Sequence, residues 1–404
     1  MYSLSPEDLR ILADPETAAL VEKHLNDDPV QLAFRLKCSR ERARLVCRQV
    51  KYLQRAKTKL PSYYKARCII PPLSYEQCSS EAAAFAKNDS GRLCIDLTGG
   101  LGVDSYAFSR SFEKVITVER DPFLSQVARH NFALLGALNI TVENNSAESF
   151  LPAYCGPEAD LIYIDPARRN EGERVFLLED CSPDVVALMP LLLEKSKRVL
   201  IKLSPLFDVE EALRIFSGHL SKIEIVSVGG EVKELLAELS LLPDKTQIGV
   251  NLAGERHFPF TPDAIISSPP EDASFSLEEY SFLLIPDAAF YKGRLAPALL
   301  RHYYPELPAV LPASNGFVFA ENYPEDFPGR IYRILAREEY RPKHLRKSLK
   351  DQGIKRINIL RRHFPHKSEE IKQALHIEEG GTFWFAFTEA EGKRLVFRVE
   401  PVKK

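Results

Sequence analysis

A glycine-rich segment and an acid downstream of it are the residues whose types and spacing most suggest chemistry. The segment reads Cys94-Ile95-Asp96-Leu97-Thr98-Gly99-Gly100-Leu101-Gly102, and Glu119 closes the next apolar run, 23 residues after Asp96. Glycines between a strand and a helix let the backbone turn sharply and approach a ligand closely. An acid at the tip of the following strand suits the hydroxyls of a ribose. A tight structural turn is the alternative for the glycines taken alone.

A second candidate site follows the apolar run 161–164, which ends in Asp165-Pro166-Ala167-Arg168-Arg169. Ligands of open parallel sheets bind at the carboxyl ends of the strands, so Asp165 and Pro166 are expected where a substrate is held. The apolar run 199–203 is followed by Ser204. Ser204 is a candidate substrate contact, with a structural role as the alternative.

These residues need an alternating α/β framework to position them. Short apolar runs lie at 93–97, 114–118, 139–142, 161–164 and 199–203, with helical segments such as 104–111 and 122–135 between them. Alternating strands and helices predict right-handed crossovers and a parallel sheet. The runs 222–228, 234–241 and 246–252 have short connections and predict an antiparallel end of the same sheet.

The segments on either side of this framework have different patterns. Residues 1–85 have helical spacing, and Ser5-Pro6-Glu7-Asp8 predicts a capped helix start. Beyond residue 255 the alternation is lost, prolines such as Pro259 indicate irregular chain, and 382–387 with 394–399 predict a hairpin. We therefore predict a helical domain at 1–85, an α/β domain at 86–255 and an α+β domain at 256–404.

Composition excludes several classes of protein. The chain has 404 residues, 45% of them hydrophobic, which fits two or three globular domains. It has no apolar stretch of about 18 residues, so no transmembrane helix and no membrane partner are expected. The seven cysteines include no Cys-x-x-Cys pair, which leaves a disulfide framework and a metal site unsupported. With no basic segment before an apolar run at its start, the chain is expected to be cytoplasmic; its oligomeric state is left open.

The charge distribution suggests a polyanionic partner. Residues 35–67 hold 12 Lys/Arg and one acid, and residues 330–367 hold 13 Lys/Arg and three acids, net charges of +11 and +10. Each run alone is equally well explained as a solvated helix face. Two such runs around an acidic centre favour lobes that contact phosphates on either side of an enzyme core.

The glycine-rich segment and Glu119 resemble motifs I and II of the class I S-adenosylmethionine-dependent methyltransferases. The resemblance implies a Rossmann-like core with a mostly parallel seven-stranded sheet. It implies S-adenosyl-L-methionine as the cofactor, with motif III at residues 145–148. The residues it assigns to the cofactor are Asp96, Thr98, Gly99, Gly100, Gly102, Glu119, Arg120, Ser146, Ala147 and Glu148.

Asp165-Pro166 resembles the Asp-Pro-Pro-aromatic motif of enzymes that methylate exocyclic amines of bases. The resemblance implies that Asp165 and Pro166 orient the amine for in-line methyl transfer. The chain departs from the motif at Ala167 and Arg168, so Arg168 and Arg169 are expected to hold the substrate instead of a stacked aromatic ring.

The C-terminal region resembles the THUMP-like domain of some bacterial methyltransferases, through residues 279–300, 356–364 and Glu379-Gly380-Gly381. Related THUMP domains bind RNA, chiefly tRNA. The resemblance therefore predicts a methyltransferase for a base nitrogen of tRNA or rRNA, with basic flanking domains that bind the RNA. Two alternatives remain at this stage: a methyltransferase for a protein or small molecule, and a catalytically degenerate RNA-binding module.

Overall fold

The computed structural model describes residues 4–168, 178, 181–265, 277–390 and 392–402. The chain forms two compact units, Met1–Gly229 with Lys233–Pro259, and Gly230–Val232 with Phe260–Lys404. No helix in the described ranges is both long and apolar enough to cross a bilayer. All seven cysteines are described, and each is a free thiol.

Seven helices precede the first strand of the first unit: α1 (Pro6–Ala13), α2 (Pro15–Lys23), α3 (Pro29–Arg35), α4 (Arg40–Lys59), α5 (Pro61–Lys65), α6 (Pro72–Gln77) and α7 (Glu81–Ala86). The predicted start of α1 is confirmed, because Ser5 and Asp8 cap each other reciprocally. Helices α2, α3 and α4 are capped by the side chains of Asp14, Asp28 and Ser39, which satisfy backbone amides of the first turn.

The α/β part of the first unit follows these helices. Its strands are β1 (Gly91–Asp96), β2 (Phe112–Val118), β3 (Ile140–Glu143), β4 (Leu161–Ile164), β5 (Ala167–Arg168), β6 (Cys181–Ser182), β7 (Val199–Leu203), β8 (Leu220–Val228), β9 (Glu231–Leu239), β10 (Gln247–Leu252) and β11 (Arg256–Phe260). Its helices are α8 (Val103–Phe108), α9 (Pro122–Leu135), α10 (Ala147–Ala153), α11 (Val185–Lys195) and α12 (Val209–Ile215).

Nine of these strands form one mixed sheet in the order β11-β10-β8-β9-β7-β4-β1-β2-β3. The central pairs β4–β7, β1–β4, β1–β2 and β2–β3 are parallel, and β7–β9 is antiparallel. The α/β architecture is as predicted, but the seven-stranded count is wrong. Strand β10 pairs in parallel with β8 and is followed by the edge strand β11. Pro259 suggested irregular chain there, yet an edge strand tolerates a residue that lacks an amide donor.

The N-terminal helices share a hydrophobic core with the helices that cover the sheet. One cluster of buried side chains includes Leu45, Val50 and Tyr63 from the N-terminal helices. The same cluster includes Tyr106 of α8 and Phe132 of α9. This shared core joins the helical segment to the glycine-rich end of the sheet.

The second unit contains a seven-stranded sheet in the order β13-β14-β12-β15-β18-β17-β16. Its elements are β12 (Phe282–Pro286), α13 (Ala288–Lys292), α14 (Ala296–Tyr303), β13 (Ala309–Val310), β14 (Val318–Ala320), β15 (Gly329–Glu339), α15 (Pro342–Asp351), β16 (Arg356–Arg361), α16 (Ser368–Leu375), β17 (Glu378–Ala390) and β18 (Lys393–Pro401). The predicted hairpin is β17–β18, with longer strands than expected because pairing continues to Ala390 and Lys393.

Candidate functional site

The loop between β1 and α8 requires glycine at several positions. Gly100 and Gly102 have φ values of +53° and +87°, which side chains rarely tolerate. A Cβ atom on Gly102 would lie 2.4 Å from Cζ of Phe132, and one on Gly99 would lie 2.5 Å from Oγ1 of Thr117. The loop therefore packs directly on the core while its backbone faces a cavity.

Asp96, at the end of β1, fixes this loop through hydrogen bonds to both oxygens of its carboxylate. It is 1% exposed, and its Oδ1 accepts a hydrogen bond of 2.9 Å from the amide of Thr98. Its Oδ2 accepts a hydrogen bond from the hydroxyl of Ser105. Burial raises the pKa of Asp96 to about 7, although these hydrogen bonds act in the opposite direction. Asp96 thus shapes the loop rather than lining the cavity.

Glu119 follows β2 and joins the loop to the next strand. Its Oε2 accepts a hydrogen bond of 2.7 Å from the amide of Gly100, and its Oε1 accepts one of 2.7 Å from the amide of Asp121. A carboxylate offers about four acceptor sites, so two remain for hydroxyl groups of a ligand. The glycine loop and this acid are therefore in direct contact.

Asp165 lies at the carboxyl end of β4, beside the loop. Its amide donates to Oγ1 of Thr98 at 2.8 Å, and its Oδ2 accepts a hydrogen bond of 2.6 Å from Nζ of Lys202. Lys202 comes from the neighbouring strand β7, whose Ile201 pairs with Ile164. Among the described residues, no hydrogen bond to Oδ1 of Asp165 is present, so this oxygen can accept one from a substrate.

Lys202 also belongs to a buried charge network that includes Lys87, Asp104 and Glu234. The ammonium of Lys87 is 2.7 Å from Oδ1 of Asp104 and 2.7 Å from Oε1 of Glu234. Ser79 accepts a hydrogen bond of 3.1 Å from Lys202 and donates one of 2.9 Å to Asp104. The network thus connects the carboxylate of the candidate site to the segment that precedes α7.

Electrostatics within the network favour charged lysines. Burial alone would lower the pKa of Lys202, but the carboxylates of Asp165, Asp104 and Glu234 raise it well above its ordinary value. Burial likewise opposes the ionised form of Asp104, yet Lys87 and Lys202 bring its pKa below the ordinary value. For Glu234 burial dominates, and its pKa is raised. Asp165 therefore faces a permanently charged ammonium.

These groups surround a cavity of about 640 Å³, called here the central cavity. The predicted residues that line it are Thr98, Gly99, Gly100, Gly102, Glu119, Arg120, Ala147, Glu148 and Asp165. Asn145, which the sequence resemblance includes in motif III, also lines the cavity. Lining residues that sequence reasoning did not assign to the site include Lys202, Asp104, and Leu73, Ser74, Gln77, Cys78 and Ser79 from the N-terminal segment. The N-terminal segment therefore forms one wall of the cavity.

Several predicted site residues lie elsewhere. Pro166 is buried, and the hydroxyl of Ser146 caps α10 by accepting from the amide of Ser149. The hydroxyl of Ser204 accepts a hydrogen bond of 3.2 Å from the amide of Leu206. Arg168 pairs through its backbone with Cys181 in the β5–β6 ladder. Arg169 lies outside the described residues.

Four arginines of the basic run at 35–67 are paired with acids within the first unit. Arg44 pairs with the buried carboxylate of Asp8 at 3.1 Å, and Arg42 pairs with Asp14 at 3.3 Å. Two further pairs are Arg55–Glu76 and Arg67–Glu22. The net charge of +11 along this sequence therefore overstates the free positive surface, because acids outside the run fold against it.

The basic run at 330–367 contributes an exposed face. On α15, Leu345 and Leu349 are buried, whereas the basic side chains on the other side of the helix are exposed. These exposed residues are Lys343, Arg346, Lys347 and Lys350. This amphipathic arrangement presents four positive charges on about two and a half turns of helix.

Comparison with known proteins agrees with this geometry. Residues 329–401 match the family model described as THUMP domain-like, and residues 84–179 match the model Conserved hypothetical protein 95. Two proteins from strains of Mycobacterium tuberculosis, each named an uncharacterized S-adenosylmethionine-dependent methyltransferase, are 30% identical over 149 residues. That match covers 37% of this chain and 39% of each relative, so the chain spans well under two thirds of the relatives' length.

A solved structure is similar over the whole chain. The putative methyltransferase from Porphyromonas gingivalis W83 superposes with a TM-score of 0.81 and 26% sequence identity, covering 100% of both chains. The resemblance stated from the sequence, to methyltransferases that use S-adenosylmethionine and to THUMP-like domains, is thereby confirmed. The predicted class of cofactor agrees with the name of the two mycobacterial relatives, which are called S-adenosylmethionine-dependent methyltransferases.

Proposed function

We propose that this protein transfers the methyl group of S-adenosylmethionine to a base nitrogen of RNA. One observation carries the proposal: the glycine loop, Glu119 and the Asp165–Lys202 pair face the same cavity of about 640 Å³. The glycine loop can approach a ligand closely, Glu119 can bind a ribose, and Asp165 beside them can bind an amine. Chains similar to this one carry the name methyltransferase.

The residues of the cavity fit the cofactor. The glycine loop offers backbone without side chains, and Glu119 keeps acceptor sites for ribose hydroxyls. Asn145, Ala147 and Glu148, from the segment that the resemblance identifies as motif III, also line the cavity. When bound, S-adenosylmethionine supplies an electrophilic methyl group on a sulfonium.

Asp165 is the residue that we assign to the acceptor amine. Its Oδ1 accepts a hydrogen bond from the amine, while Lys202 fixes the carboxylate through Oδ2 at 2.6 Å. Orientation of this kind matters because methyl transfer needs the lone pair in line with the methyl carbon. Ala167 also lines the cavity and leaves room where the resembling motif has a proline. The backbone of Arg168 pairs with Cys181 of β6, and Ser182 of the same strand lines the cavity.

RNA is proposed as the acceptor because of the second unit. It contains the match to THUMP-like domains and the exposed basic face of α15. Arginine and lysine side chains on one face supply the sequence-independent attraction to phosphates that RNA binding requires. The first unit contributes less free positive charge, since several of its arginines are paired with acids.

The test is transfer of radiolabel from S-adenosyl-L-[methyl-³H]methionine to total bacterial RNA. The wild type is compared with Asp165→Asn and with Glu158→Gln, a matched change at an exposed carboxylate outside the cavity. Label in RNA that is lost in Asp165→Asn and kept in Glu158→Gln supports the proposal. Nucleoside analysis of the labelled RNA then identifies the methylated atom.

Two other outcomes identify the alternatives. Cofactor binding by calorimetry without label in RNA, but with label in an RNA-free extract, indicates a protein or small-molecule acceptor. Tight RNA binding without measurable cofactor affinity indicates a degenerate module, as the departure from the Asp-Pro-Pro-aromatic motif at Ala167 and Arg168 would allow. Either outcome refutes RNA methylation by this chain.

A further inference from the structure

Three arginines of the second unit, Arg330, Arg361 and Arg362, form a cluster called here the arginine cluster. Arg362 follows β16, and its guanidinium carbon lies 3.6 Å from the centre of the Tyr291 ring on α13. Arg330 lies near the start of β15, where it pairs with Ile285 of β12, the strand that leads into α13. The Nη1 atom of Arg361 donates to the carbonyl oxygen of Phe364 at 3.1 Å.

The cluster contains mutually repelling cations. Burial lowers the pKa of Arg362, and the charges of Arg330 and Arg361 lower it further, while Tyr291 acts in the opposite direction. The same environment affects the ring beneath: burial raises the pKa of Tyr291 to about 12, against the effect of Arg362 and Arg330. The Arg362 guanidinium therefore stacks on a phenol and experiences the charges of two further arginines.

Within the described ranges, no carboxylate lies within ion-pair distance of these three guanidiniums. Other arginines on the same sheet are paired: Arg333 with Glu400 at 3.6 Å and Arg356 with Glu378 at 3.2 Å. Concentrating like charges without an acid is unfavourable unless an anion is bound. Stacking on Tyr291 also fixes the plane of the Arg362 guanidinium in advance of binding.

We propose that the arginine cluster binds a phosphodiester group of the RNA acceptor. The inference rests on the proposed function, because it takes RNA as the polynucleotide. Guanidinium groups suit phosphate oxygens, to which they donate two parallel hydrogen bonds. A polynucleotide is favoured over a free phosphate because the same unit exposes four further cations along α15, which can follow a repeating backbone charge.

The test measures binding of fluorescein-labelled bulk bacterial tRNA by anisotropy over a range of salt concentrations. The full chain is compared as wild type, Arg362→Gln, Arg330→Gln and the control Arg356→Gln, which removes the same charge from an acid-paired arginine. Arg362→Lys keeps the charge but loses the planar fork. Thermal melting identifies any variant that is not folded. If Arg362→Gln does not fold, the test rests on Arg330→Gln, because the side chain of Arg330 is exposed.

The proposal expects Arg362→Gln and Arg330→Gln each to weaken binding roughly tenfold, since charge-assisted hydrogen bonds are removed. The slope of log K against log salt should become shallower by about 0.7 to 0.9 for each phosphate that the variant no longer neutralises. Arg356→Gln should stay within about twofold of the wild type, and Arg362→Lys should fall between.

The remaining outcomes overturn the assignment in distinguishable ways. If the wild type binds tRNA and the cluster variants bind equally well, the cluster is not the phosphate site, while RNA methylation can stand. If Arg356→Gln loses as much affinity for tRNA as the cluster variants do, the effect is one of general electrostatics and not of a specific site. If the variants lose only binding of inorganic phosphate, measured by calorimetry, the ligand is a small phosphate. If the wild type does not bind tRNA, both this inference and the proposed acceptor fail.

Discussion

Replacing Lys202 by methionine should damage catalysis more than cofactor binding. The change removes the ammonium that lies 2.6 Å from Oδ2 of Asp165, while it keeps a flexible apolar chain in the same space. Breaking a fully buried ion pair costs about 3–5 kcal/mol. The side chain of Asp165 is 36% exposed, and Lys87 still neutralises Asp104 and Glu234. We therefore expect about 3 kcal/mol of stability to be lost, the lower end of that range.

The catalytic effect follows from the freedom that Asp165 gains. A displacement of about 1 Å at a positioning group can cost on the order of 100-fold in rate. We expect Lys202→Met to lower kcat by about 100-fold. Among the described residues, no hydrogen bond joins Lys202 to the glycine loop or to Glu119. The dissociation constant for S-adenosylmethionine should therefore change by less than about threefold, roughly 0.6 kcal/mol.

The assay combines single-turnover methyl transfer to total bacterial RNA with calorimetry of cofactor binding. Lys202→Arg is the matched control, because it keeps a cation near Asp165 and should retain more activity than the methionine variant. Urea unfolding measures the loss of stability separately. Transfer rates within threefold of the wild type, in a folded Lys202→Met protein, would refute the role assigned to this lysine. A loss of cofactor affinity in Lys202→Met as large as its loss of transfer rate would refute that role as well.

Three further predictions concern Gly102, Asp96 and Arg44. Gly102→Ala should destabilise the protein by about 2–4 kcal/mol in urea unfolding, because the new Cβ would lie 2.4 Å from a ring carbon of α9 at a φ of +87°. Gly136→Ala, at φ +68° with nothing within 4 Å of its Cβ, should cost only about 1–2 kcal/mol; equal costs would contradict the steric argument. Asp96 has a pKa of about 7 in the folded protein, against an ordinary value of 3.8. At pH values between these two, folding is coupled to the uptake of a proton. The free energy of unfolding should therefore fall, by up to the order of 4 kcal/mol, as the pH rises from about 4 to 7. Asp96→Asn should abolish this fall in denaturation curves measured across that range. Arg44→Gln should lower stability by about 1–3 kcal/mol, since it leaves Asp8, 2% exposed, without this partner, and should leave the salt dependence of tRNA binding unchanged; a shallower salt slope would show that Arg44 contacts RNA instead.

The parts of the site that the sequence predicts well are those encoded by local pattern. The glycine loop needs positive φ values and close backbone packing, and these requirements leave a composition that is visible in one chain. Glu119 and Asp165 each follow an apolar run, and the parallel order of β4, β1 and β2 brings such positions to one edge. Strand alternation therefore suffices to predict that these residues meet.

The charge network was missed because its partners are distant in sequence. Lys202 is a charged residue inside the apolar run 199–203, which was the available signal that a buried counter-ion exists. Its partner Asp165 is on the neighbouring strand, and Glu234 belongs to β9, inserted next to β7 by the antiparallel end of the sheet. Only the sheet order identifies which acid meets which lysine. The same limitation affected the charge count at 35–67, since Asp8, Asp14 and Glu22 lie before that run.

The N-terminal helices form part of the framework around the central cavity. The hydroxyl of Tyr63 donates to the carbonyl oxygen of Leu101 in the glycine loop at 3.2 Å, and both residues are buried. Asn131 of α9 exchanges two hydrogen bonds with the backbone of Ile69. Ser79 lines the cavity and accepts from Lys202. Because these contacts fix the loop and the positioning lysine from one side, the α/β core without this segment would expose its apolar helix faces and lose one wall of the cavity.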